Sequence, residues 1–374
     1  MRQSNIELLR IVSMFFIVLE HVLIMGTEFF SAPMGNQLYV ANTIIGFTYI
    51  GVNCFILITG YFGADFSWKR LINLYLVCCF YELVGFVVAY YHGDVECTTT
   101  AIGYIIFPLS RSNTWFIRCY VILLFLLPII NLGLEQLNKR NFLYVLLLLT
   151  LLNLYFGWFQ KQENYNAIGY NPSQMIYLYV IGQYLNRFVD WQSIKKRKFH
   201  LIISWILLSL LWGIIQNLST NYHIPHWNGW AYNNPIVLSA SIIFFAYFLC
   251  LDIPYSKIIN SLGVAMLGVF LIHMNRYLGN YIYGFVNSIV YYPTIAQSII
   301  YQICILIGVS VGVYFMSYII EIPRWIINDR LLRKLSILHT HTHTHTHIWA
   351  RIRMIVEYNR VSISYVGRNE IAIV

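Results

Sequence analysis

The chain has 374 residues, of which 59% are hydrophobic, 17% aromatic and only 10% charged, with a formal net charge of +9. A soluble domain carries roughly 25% charge, so the composition excludes a soluble globular enzyme and a disordered chain. The basic residues sit in short clusters between apolar blocks rather than on one stripe, which disfavours a nucleic-acid binder and leaves an integral membrane protein.

Ten apolar segments follow in chain order, at 6–26, 38–63, 68–91, 114–131, 141–158, 172–187, 199–217, 235–251, 262–283 and 296–320. A helix needs about 20 apolar residues to cross a bilayer. Each segment is a continuous apolar run, not the ten-residue alternation of a membrane barrel. The expected architecture is therefore an all-α bundle of about ten transmembrane helices with no soluble domain, and 172–187 is the shortest of them. The first segment has spanning length and no small-residue cleavage site after it, so it reads as a helix and not as a removed signal.

Charge sets the expected orientation. With the amino terminus in the cytoplasm, the inside loops hold Lys69, Arg70, Lys139, Arg140, Arg187, Lys195, Lys196, Arg197, Lys198 and Lys257, followed by Arg324, Arg330, Arg333 and Lys334. The outside loops hold Arg111 and Lys161, with Arg276 near a helix end. This asymmetry follows the positive-inside rule and places both termini in the cytoplasm.

Cys54, Cys78, Cys79, Cys119, Cys250 and Cys304 lie inside apolar runs, and Cys97 stands in a polar loop. No CxxC and no zinc spacing occur, so the cysteines read as small hydrophobes, and no metal site is expected in the helical part. From His339 to His347, His and Thr alternate. Five histidines so placed could bind a metal weakly, but a repeated AC dinucleotide encodes the same pattern and such tracts slip. The expected division is a transmembrane domain over 1–334 and a low-complexity, unstructured tail over 335–374, with 348–374 read as an out-of-frame extension.

The candidate chemistry lies in the first segment, which carries Glu7, Arg10, Glu20 and His21 within one helix. A charge at mid-membrane costs roughly 2.5–3.5 kcal/mol on insertion scales, so each needs a reason. Eleven positions separate Arg10 from His21, which at 100° per residue returns them to one face within about 20° and spaces them about 16 Å along the axis. Arg10 falls near the cytoplasmic boundary and His21 about 22 Å in, past the midplane. The plain alternatives are a snorkelling topology anchor for Arg10 and a helix-packing hydrogen bond for His21.

The Arg, ten residues, His arrangement in "IELLRIV…IVLEH" resembles the acyltransferase-3 family of membrane acyltransferases. Further segments resemble the family in order: "GVNCFILITGYF" (Gly51 to Phe62, with Thr59 where the family usually has Ser), "NTWFIRCYVILLFLLPIIN" (Asn113 to Asn131) and "LGVAMLGVFLIH" (Leu262 to His273). The resemblance covers about residues 5–320. It implies transfer of an acyl group, usually acetyl from acetyl-CoA, to a hydroxyl of an extracytoplasmic glycan or lipid-linked saccharide. It makes His21 the catalytic histidine and Arg10 its motif partner. It places Lys69 and Arg70 where the family carries donor-binding arginines, although Asn73 stands where a further arginine would complete a clamp. Trp115 and His273 become possible site-lining residues. Acetyl-CoA is expected as a substrate, with no tightly bound cofactor.

The residues agree with that chemistry. Transfer to a hydroxyl needs a base, and histidine is suited to it near neutral pH. No G-x-S-x-G elbow is present, which favours direct transfer over a covalent intermediate. The competing expectation is a polysaccharide or lipid-linked sugar transporter, disfavoured by the lack of a visible internal repeat or of broken helix pairs. A different class of membrane-bound O-acyltransferase would share the reaction but use a distinct His/Asn pair.

Overall fold

The computed structural model describes residues 3–31, 35–111, 114–162, 165–222, 224, 227–296 and 298–340. Two compact units divide the chain, Met1–Ile322 and Pro323–Val374. In the second, the described residues 323–340 are helical, and from residue 341 onward the Thr-His tract and the expected unstructured tail lie outside the described residues.

The described residues form helices and no strands. Seven helical stretches are long and apolar enough to cross a membrane: Ser4–Gly26, Asn36–Phe62, Trp68–His92, Trp115–Glu135, Lys139–Phe159, Lys198–Tyr222 and Ile299–Arg324. The protein is thus an all-α, multi-pass membrane protein. The elements that matter here are α1 (Ser4–Gly26), α2 (Asn36–Thr48), α3 (Gly51–Phe62), α4 (Trp68–His92), α5 (Thr99–Ile106), α6 (Pro108–Arg111), α7 (Trp115–Glu135), α8 (Lys139–Leu152), α9 (Pro172–Phe188), α10 (Trp191–Lys195), α11 (Lys198–Tyr222), α12 (Pro235–Leu249), α13 (Lys257–Val264), α14 (Met266–His273), α15 (Leu278–Val290), α16 (Pro293–Ala296) and α17 (Ile299–Thr340).

The expectation of ten single helices is correct in class and inexact in detail. The segment expected at 38–63 bends between α2 and α3 at Tyr49 and Ile50. The one expected at 262–283 is three helices, α13, α14 and α15, and not one. Its second break has a local cause. The Asn275 side-chain oxygen accepts hydrogen bonds from the backbone N–H groups of Tyr277 (3.0 Å) and Leu278 (3.2 Å), which caps α15. Its amide meanwhile donates to the Tyr81 carbonyl at 3.2 Å. A short polar side chain that bonds its own backbone competes with helix continuation, so the chain turns just after His273.

The shortest expected segment, 172–187, is α9, a packed interior helix whose hydropathy is lowered by polar residues such as Gln174 and Gln183. Met175, Tyr177, Leu178, Tyr179, Val180 and Ile181 are all buried. It lies tightly on α3, where a Cβ added at Gly60 would collide with the Tyr179 backbone and one at Gly182 with that of Tyr61. In a membrane, small residues that let backbones approach replace the hydrophobic drive that water supplies elsewhere.

Local signals end the helices cleanly. Gly93 takes φ +78° after α4, and its N–H returns to the Ala89 and Tyr90 carbonyls, the left-handed C-terminal cap that glycine favours. Lys195, the last residue of α10, pairs with Asp252, which ties that helix to the segment after α12 and holds the Asp252 carboxyl below the usual carboxylate range.

Candidate active site

α1 packs on α2, α3, α12, α13, α14 and α15, so its polar residues are held from several sides. The His21 Nδ1 lies 2.7 Å from the Ile17 carbonyl oxygen one turn back. A carbonyl only accepts, so Nδ1 carries the hydrogen and Nε2 presents a lone pair when the ring is neutral. The ring is half-buried. A backbone carbonyl here orients the base, the role that a carboxylate plays in a hydrolase triad.

His273 closes α14 and repeats the arrangement: its Nδ1 lies 2.7 Å from the Val269 carbonyl. The two imidazoles face each other with ring centres 5.2 Å apart and planes tilted by 56°. His273 has no solvent exposure, and its Nε2 has no hydrogen-bond partner. An orphaned buried polar atom costs about 1–3 kcal/mol. The Tyr283 hydroxyl donates to the His273 carbonyl at 2.7 Å and fixes the helix end that carries the ring.

The other sequence-derived candidates divide. Trp115 is the expected site-lining tryptophan. It begins α7, half-buried, with its ring 4.5 Å from Tyr170 and stacked 5.8 Å from Tyr232. Tyr232 stacks on Tyr49 at 4.5 Å, Tyr49 meets Trp230 edge-on, and the Tyr49 and Tyr170 hydroxyls lie 3.2 Å apart. Next to Trp115, Phe116 packs against Phe270, which sets its edge to the His273 ring. The wall is thus continuous with the histidine pair.

Arg10 lies near the start of α1, with its Nε 3.9 Å from the Glu7 Oε1. The helix rise separates it from His21 by about 16 Å, so the two act at different depths. Glu7 itself packs on Gly263 of α13. Lys69 and Arg70 begin α4, exposed, and Arg70 donates to the Asp65 carbonyl at 3.3 Å.

Two features take their meaning only from the structure. The first is Glu20, which is 3% exposed. Its carboxyl is close enough to interact electrostatically with the phenols of Tyr49, Tyr170 and Tyr232. The second is the amide network that holds the tyrosine wall. Gln174 Oε1 accepts from Asn153 (3.1 Å) and Asn166 (3.0 Å), while Gln174 and Asn53 both donate to the Tyr232 carbonyl, at 3.2 and 2.9 Å. Asn233 donates to the Asn166 carbonyl at 2.7 Å. One turn or more beyond His21 along α1, a cavity of about 500 Å³ is lined in part by Thr27, Phe30, Asn42, Gln216 and Trp230.

An oriented base beside an aromatic wall can deprotonate a hydroxyl held on that wall. The model of the acyltransferase domain, acyltransferase-3, matches residues 3–321, nearly the whole chain. The protein belongs to the acyltransferase-3 family. No curated protein and no solved structure matches it. Membership makes this membrane protein an acyltransferase. It also removes the weight placed on unbroken helices: two spans of the acyltransferase are broken, and the family, not helix continuity, decides against a transporter.

Proposed function

We propose that this acyltransferase moves an acetyl group from acetyl-CoA, reached from the cytoplasmic face, to a hydroxyl of an extracytoplasmic glycan or lipid-linked saccharide, with His21 as the base. The observation that carries the reading is the His21 ring, locked through Nδ1 on the Ile17 carbonyl with Nε2 left as a lone pair, and set against His273, which Phe270 and Phe116 connect to Trp115. Aromatic faces and side-chain amides suit a sugar ring, whose C–H faces stack and whose hydroxyls both donate and accept.

The step balances without a further reagent. His21 Nε2 takes the proton of the acceptor hydroxyl as its oxygen bonds to the thioester carbonyl carbon. The carbon–sulfur bond then breaks, and the departing thiolate receives the proton from the imidazolium. Basic residues of the cytoplasmic ends, Arg10, Lys69 and Arg70, supply charge for the donor's phosphates. From there to His21 the donor arm must extend about 16 Å past Arg10. The positive-inside bias supports an inner-membrane location with both termini in the cytoplasm.

The test is chemical analysis of surface glycans from a deletion strain beside its parent. Loss of one O-acetyl group, restored by the wild-type gene and not by His21→Ala, is the expected result. Unchanged acylation in the deletion strain overturns the reading.

A further inference from the structure

Glu20 sits next to His21 in sequence and on the wall of the same site, yet nothing in the proposed proton transfer uses it. Among the described residues its carboxyl has no hydrogen-bond or ion-pair partner, although the residue is 97% buried by its 3% exposure. Buried carboxyls are almost always paired, because each lone pair taken from water needs a donor in return. The phenols of Tyr49, Tyr170 and Tyr232 lie within electrostatic reach of it. Two of those phenols are already engaged with each other, Tyr49 with Tyr170 at 3.2 Å. Tyr170 remains 36% exposed despite its place among these rings, so the wall can be reached by a ligand at that ring.

The wall is rigid. Tyr232 is 2% and Tyr49 2% exposed, and they stack with planes 9° apart. The buried amides of Asn53 and Gln174 hold the Tyr232 carbonyl from behind. A carboxyl fixed on such a surface is a built acceptor of hydrogen bonds without a donor of its own. A sugar ring laid on the half-buried face of Trp115 and Tyr170 presents that donor as its hydroxyls. The reacting hydroxyl must reach His21 Nε2, and a carboxyl one residue away on α1 can engage another hydroxyl of the same ring.

Resting on the acyl-transfer reading above, we infer that Glu20 is an acceptor-binding residue: its carboxyl accepts a hydrogen bond from a hydroxyl of the ring stacked on Trp115 and Tyr170, and so selects which hydroxyl meets His21. The ligand class is a polyhydroxylated ring with at least one free hydroxyl besides the acylated one.

The experiment introduces Glu20→Gln and Glu20→Asp into the deletion strain, with the wild-type gene and His21→Ala as controls. Membrane-inserted protein is quantified, the surface glycan is purified, and proton NMR gives both the amount and the ring position of O-acetyl. Binding of acetyl-CoA to each purified variant is measured separately. Glu20→Gln should lose about 10²-fold of acylation per inserted protein, the cost of a small misplacement of reactants, or scatter the acetyl over neighbouring positions. Glu20→Asp should recover part of the amount at the native position. Donor binding should be unchanged. Wild-type acylation at the single native position in Glu20→Gln overturns the assignment, as does loss of acetyl-CoA binding. So does failure of both variants to accumulate in the membrane, which marks a packing role. If the wild-type gene itself restores no O-acetyl, the acyl-transfer reading falls first, independently of Glu20.

Discussion

The His21 and His273 rings lie 5.2 Å apart although α1 and α14 come from opposite ends of the chain. Each ring commits Nδ1 to the carbonyl four residues back, at 2.7 Å in both cases. Both therefore keep the same tautomer in their neutral form, with Nε2 unspent. They differ in access: His21 is half-buried and His273 has no exposure. Of the two rings, His21 is the one with surface that a ligand can reach, while His273 lies enclosed behind it.

His21→Ala should insert normally, since removing a polar group makes a span more apolar. Its transfer rate should fall by about 10²–10⁴-fold, the usual worth of a positioned general base. His21→Gln should be nearly as inactive, because an amide cannot take the proton. Acetylated product per inserted protein measures both. A fully active His21→Gln enzyme would remove His21 from the mechanism.

His273 can be separated from simple packing. His273→Phe keeps a ring of similar size and deletes the orphaned Nε2, so the protein should insert and remain at least as resistant to heat in detergent. Activity should nevertheless fall by about tenfold or more, because a reacting pair supported on one side tolerates little displacement. Unchanged turnover in His273→Phe would reduce His273 to a core residue.

Some of this site was legible in the sequence and some was not, for physical reasons. The Arg10 and His21 spacing is set by helix period alone and survives unchanged in α1. Trp115 and His273 stand in the ordered motifs, and the structure sets His273 against His21 and links Trp115 to that pair through Phe116 and Phe270. Glu20 carried no pattern, because its meaning comes from Tyr49, Tyr170 and Tyr232, which approach only when α2, α9 and α12 pack. The break after α14 was missed because averaged hydropathy cannot see one asparagine, yet Asn275 capping α15 is a local signal of the kind a turn search detects. The short α9 looked marginal for the same reason: its polar Gln174 lowers hydropathy but is consumed by Asn153, Asn166 and the Tyr232 carbonyl.

The exposed start of α4 bears on the donor. Changing Lys69 and Arg70 together to Gln should raise the KM for acetyl-CoA more than it lowers kcat, since ground-state binding of phosphates is what is lost. The wild-type KM should also rise with ionic strength, and the double variant should respond less, because exposed charges are screened over about 8–10 Å at physiological salt. Steady-state kinetics at two salt concentrations distinguish this from a topology role, which predicts the same KM in both proteins.

The last prediction concerns the contact that holds the site's amide network in place. α9 carries Gln174 at its start, and its seat on α3 depends on Gly60 against the Tyr179 backbone. A Cβ at Gly60 meets backbone rather than a movable side-chain tip, so the helices must separate to admit it. Overpacking of this kind costs about 1–3 kcal/mol. Gly60→Val should therefore lower the Tm of the detergent-solubilised protein by several degrees. Separation of α3 from α9 also pulls Gln174 from Asn53, which sits on α3, and so loosens the Tyr232 carbonyl and the ring stacked above it. Activity should drop below what the loss of folded protein explains. Gly133, which has open space around an added Cβ, supplies the control: Gly133→Ala should leave both Tm and turnover near wild type. Equal Tm values for Gly60→Val and the wild type would mean that α3 and α9 do not rely on this close approach.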